Sequence, residues 1–88
     1  MSVIWKFPLT LAGENHVPLK KGAEILTVQM QCNVPCLWAI CDPESPDETR
    51  TIVFYGTGET IPSGRKKYIS TFQMLGDVLI FHAFEVLG

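Results

Sequence analysis

No long segment of this chain carries the 3.6-residue apolar period of a helix, and the segments that are apolar on one face only repeat with a period of two residues. That excludes helical bundles and α/β folds and leaves antiparallel sheets. The clearest case is Glu24 to Cys32: Leu26, Val28, Met30 and Cys32 fall on one face, and Thr27, Gln29 and Gln31 on the other. Val3 to Leu9 alternates in the same way, with Val3, Trp5, Phe7 and Leu9 apolar. Pro8 has no N–H to give a ladder, so this strand is predicted to lie at an edge or to end there.

Cys36 to Cys41 and Val78 to Val86 are apolar in both phases. Such strands are covered on both sides, or rest one face on a neighbouring subunit. Thr51–Tyr55 and Tyr68–Met74 read as further strands, and His16 to Leu19 as a short extended piece. Turns are expected at Ala12–Asn15, at Lys20–Gly22 and at Leu75-Gly76-Asp77. The short gap Asn33-Val34-Pro35 predicts a hairpin. Asp42 to Thr49, polar and proline-containing, reads as an exposed, mobile connection, and Gly56 to Gly64 as a glycine-rich loop. The expected fold is all-β: a single domain over residues 1–88 forming a small antiparallel β-sandwich or flattened barrel of about six strands, with little or no helix.

Size adds a second constraint. A chain of 88 residues buries only about 60–65% of its unfolded surface. Small domains compensate with disulfides, metals or association. The cysteines, Cys32, Cys36 and Cys41, are odd in number, and the N-terminal residues lack the basic-then-apolar order of a signal peptide. Buried free thiols in a reducing cytosol fit better than a disulfide framework. A homo-oligomer, most simply a dimer, is therefore expected. No apolar run approaches the roughly 18 residues that span a bilayer. The net charge of −2 gives no basic footprint, so nucleic acid is not expected as a partner.

No cofactor or metal is implied. Zinc sites pair Cys-x2-4-Cys with a second ligand pair, whereas here the other soft ligands are the distant His16 and His82, and Cys36 and Cys41 face opposite sides of a regular strand. His82 shares its face with Ile80 and Phe84, and no motif joins it to Ser70, Thr71 or Glu85 as a catalytic set. No catalytic residue is assigned, and the chain is expected not to be an enzyme. The candidate ligand site is the Gly56-Thr57-Gly58 turn, whose backbone N–H groups can cradle an anion. Thr57 and Thr60 would be hydroxyl donors and Arg65 and Lys67 would supply charge. Glu59, inside the same loop, opposes an anion.

Several blocks are familiar as an ordered set: Ile4-Trp5-Lys6-Phe7-Pro8-Leu9, Gly22-Ala23-Glu24-Ile25-Leu26-Thr27-Val28-Gln29, Leu37-Trp38-Ala39 running to Asp42-Pro43, Gly56-Thr57-Gly58 with Ile61-Pro62, Tyr68-Ile69-Ser70-Thr71-Phe72-Gln73, and Phe81-His82-Ala83-Phe84-Glu85. In this the chain resembles a family of small all-β proteins encoded by tailed bacteriophages and prophages. Members often carry His-Pro-Ile where this chain has Glu59-Thr60-Ile61. The resemblance implies an accessory protein of the host bacterial cytoplasm and brings no catalytic residues. Three roles fit: a binder of a host protein (a host-factor inhibitor or counter-defence protein), an oligomer sequestering a small anionic nucleotide-type signal, or a minor structural or assembly component of the particle.

Overall fold

The computed structural model describes residues 1–76 and 78–88. Strands β1 (Val3–Pro8), β2 (Asn15–Lys20), β3 (Glu24–Gln31), β4 (Val34–Cys41), β5 (Asp47–Gly56), β6 (Lys66–Met74) and β7 (Leu79–Val86) follow in chain order, with no helix among the described residues. They form two antiparallel sheets, of order β1-β4-β3 and β2-β5-β7-β6. The expected all-β fold is the one observed. The prolines explain the edges: Pro8 ends β1 and Pro18 lies in β2, and both are edge strands that need not donate on their outer side.

Three local expectations are corrected. The piece around His16–Leu19 is a full strand, which brings the described strands to seven. The connection expected over Asp42–Thr49 is shorter, because Asp47, Glu48 and Thr49 pair with Lys20, Leu19 and Pro18. Polar residues on an exposed edge ladder carry no hydrophobic period, so that extension was silent in the sequence. The β3–β4 hairpin turns at Cys32 and Asn33, with φ of 50° and 65°. Two consecutive positive φ values suit the twist of a tight hairpin, and Val34 and Pro35 therefore belong to β4. Cys32 sits in that turn, exposed, and not on the apolar face of β3. Of the turn expected at Leu75-Gly76-Asp77, Leu75 and Gly76 have φ of 51° and 60°, and Asp77 lies outside the described residues.

The inner faces of the sheets meet in the core. Leu19 from β2, Val28 from β3, Leu37 and Ala39 from β4, Ile52 from β5 and Ala83 from β7 are fully buried, with Phe54 packed edge-to-face on Phe72. A bulge between Ile25 and Thr27 makes Leu26 the extra residue of β3. It reverses the phase, so that Ile25 packs against the core while Leu26 is exposed. Leu26 was expected on the apolar face; the bulge is the reason it is not.

β6 carries a matching bulge between Tyr68 and Ser70. β3 and β6 run beside each other where the two sheets meet, yet share no ladder. In its place the Ser70 hydroxyl donates to the Val28 carbonyl at 2.6 Å and accepts from the Val28 N–H at 3.0 Å. One side chain thus satisfies both backbone groups of Val28 along the seam. Ser70→Ala leaves them unpaired in a partly buried position and is expected to cost about 1–3 kcal/mol in urea unfolding. Ser63→Ala, on the exposed loop, is expected to stay within about 0.5 kcal/mol of the parent.

Candidate functional site

The inner face of the four-stranded sheet carries an ion pair in the core phase. Arg50 shares its phase with Ile52 and Phe54, and Glu85 is paired in register with Ile52 and Lys67. Arg50 Nε donates to Glu85 Oε2 at 2.6 Å and Nη2 to Oε1 at 2.9 Å, a bidentate pair. Arg50 Nη1 donates to the Ala23 carbonyl at 2.6 Å, so the guanidinium also ties the four-stranded sheet to the residue that leads into β3. Glu85 is the one charged residue in the buried set of described residues. Its hydrogen bond holds the Arg50 pKa above the ordinary arginine value, against the opposing effect of burial. A group raised in this way contributes its full stability below its unfolded pKa, so the Arg50 contribution is complete at neutral pH.

Beside this clamp the β3–β6 seam opens. The two bulges face one another there, and a cavity of about 330 Å³ lies between them, its wall formed by Ala23, Ile25, Arg50, Lys67, Ile69 and Glu85. Bulges end ladder pairing and re-aim side chains, and they concentrate at rims of this kind. Glu24 stands on the β3 lip. Sequence reading missed this site because its residues are scattered through four segments. The available signal was a pair of opposite charges, Arg50 and Glu85, each sitting in the apolar phase of its strand.

The residues expected to form an anion site do not come together. The Gly56 N–H donates to Glu59 Oε2 at 2.8 Å and the Glu59 N–H to the Gly56 carbonyl at 3.0 Å, so the turn is filled by its own carboxylate. Thr57 turns to the outer face, where its Oγ1 is 2.9 Å from His82 Nε2. Gly58 and Thr60 are exposed in the loop, and Arg65 is exposed where that loop leads into β6. Lys67 lies on the inner face, level with Glu85, whereas Gly56 is level with Phe81. That separation along β7 is roughly 13 Å at a rise of about 3.3 Å per residue. Lys67 therefore belongs to the seam cavity and not to the glycine turn.

On the outer face of the same sheet His82 is held from both sides. Thr71 Oγ1 is 2.9 Å from Nδ1, and Tyr68 OH is 2.7 Å from Thr71 Oγ1. Tyr55 and Tyr68 pack edge-to-face on Phe84, which places these aromatics outside the core. The outer face of the three-stranded sheet has an apolar row along β4, Val34, Cys36, Trp38 and Ile40, with Ile4 of β1 beside Ile40. Lys6 reaches over β4 to Gln31 at 2.6 Å, at the level of Cys36, which is buried. Cys41, on the opposite face of β4, is buried in the core.

Together these features define a small two-sheet all-β domain with an ion-paired mouth at one seam. Residues 1–87 match the family described as Domain of unknown function (DUF7352), and the chain belongs to it. No curated protein and no solved structure matches the chain. No helix is long and apolar enough to cross a membrane among the described residues.

Breaking the clamp from one side strands a buried charge, whereas replacing both partners removes the desolvation cost as well as the attraction. Glu85→Leu alone is expected to destabilise the domain by about 3 kcal/mol in chemical denaturation. Arg50→Met with Glu85→Leu is expected to recover most of that loss.

Proposed function

We propose that the protein is an accessory protein of a bacteriophage or prophage that works in the host cytoplasm by binding a host protein, as a homo-oligomer and without catalysis. The observation that carries this reading is the apolar outer row of β4. A central strand of a three-stranded sheet is apolar on the face turned away from the core, and Ile4 beside it is 60% exposed. A chain of 88 residues gains most by covering such a face through association. The phage assignment is supported by the ordered blocks of sequence described above. The non-catalytic reading is supported by His82, whose two ring nitrogens are both engaged by threonine hydroxyls with no carboxylate among these contacts.

Native mass spectrometry of the protein purified from bacterial cells tests this reading. The expected result is a multiple of the 9.8 kDa chain that retains a stoichiometric host protein. Ile4→Glu, on an exposed edge position, is expected to keep the fold by circular dichroism while losing the association. A bare 9.8 kDa species in the parent protein would overturn it.

A further inference from the structure

We infer that the mouth between the β3 and β6 bulges is a binding site for a small molecule bearing an oxyanion, carboxylate or phosphate, held by Lys67 and Arg50. This goes beyond the protein-binding role and does not rest on it.

The cavity, at about 330 Å³, is within the range of roughly 300–1,000 Å³ typical of ligand pockets. Its wall combines apolar side chains, Ile25 and Ile69, with a small number of fixed polar groups. Arg50 has five N–H bonds by chemistry, of which roughly three are used in the clamp. The remaining N–H bonds are on a guanidinium whose position is fixed from two sides, so little ordering is left for a ligand to supply. Lys67 adds a second cation on the same wall, and its ammonium has no carboxylate within 4.0 Å among the described residues.

Each oxygen of Glu85 receives an N–H from Arg50, so the Glu85 charge is offset by the guanidinium it pairs with, and Lys67 is the cation on this wall that has no such partner among the described residues. Leu26 and Ile69, the extra residues of the two bulges, both line the mouth. Glu24 on the lip works in the other direction. It is exposed and solvated, so it weakens an incoming anion without closing the site.

The test is an amide-detected NMR titration of the full chain with inorganic phosphate and, separately, acetate, at constant ionic strength made up with chloride. The expected result is saturable shifts confined to Ala23–Leu26, Lys67–Ile69 and the Arg50 Nε–H. Earlier saturation by phosphate identifies a phosphate ligand; earlier saturation by acetate identifies a carboxylate. Lys67→Ala is expected to weaken binding by about ten-fold, as loss of a charge-assisted contact does. Glu24→Gln is expected to tighten it, and Arg65→Ala, outside the mouth, to leave it unchanged. Shifts that rise linearly without saturating, or that are the same in the parent and in Lys67→Ala, would overturn the assignment.

Discussion

The domain depends on the burial of two inner sheet faces against each other. Leu19, Val28, Leu37 and Ile52, contributed by both sheets, are removed from water completely. Everything else is arranged around keeping that phase. Where the alternation of β3 would carry the wrong side chains inward, a bulge at Leu26 resets it. The corresponding bulge in β6 at Ile69 lets the seam part at the same level. Below that level Ser70 closes it with its hydroxyl, and beside the mouth Arg50, held by Glu85 of its own sheet, ties that sheet to the Ala23 carbonyl just ahead of β3.

The same constraint leaves the outer faces unequal. The four-stranded sheet covers part of its outer face with its own aromatics, Tyr55, Tyr68 and Phe84, and with the hydroxyl–imidazole chain through His82. On the three-stranded sheet Lys6 and Gln31 reach across β4. Its apolar row is what a partner would cover. The seam mouth is a separate feature, polar and preformed, suited to a small ligand and not to a flat protein surface.

Strand positions were legible in the sequence because a period of two is visible wherever one face is buried. The edge position of β1 was legible from Pro8, which has no N–H to give a ladder, and the burial of β4 and β7 from runs that are apolar in both phases; Pro18 was legible only as part of a short extended piece. The polar starts of β5 and β6 were not, because Asp47–Thr49 and Lys66–Lys67 earn no hydrophobic signal on an exposed ladder. Bulges were illegible as well: an extra residue such as Leu26 looks like any other member of the alternating run. The site failed to appear for a topological reason. Lys67 seemed near the glycine turn along the chain, yet the β5–β6 connection carries it to the other end of β7, beside residues from β3 and β5.

Thiol reactivity tests the assignment of phases most directly, since the cysteines sample a turn, an outer face and the core. The account predicts that Cys32, exposed in the β3–β4 turn, reacts rapidly with a disulfide reagent in the folded protein. Cys36 and Cys41, both buried, react only on unfolding. Rapid reaction of Cys41, or protection of Cys32 as a member of the apolar face of β3, would contradict the register on which the whole account stands.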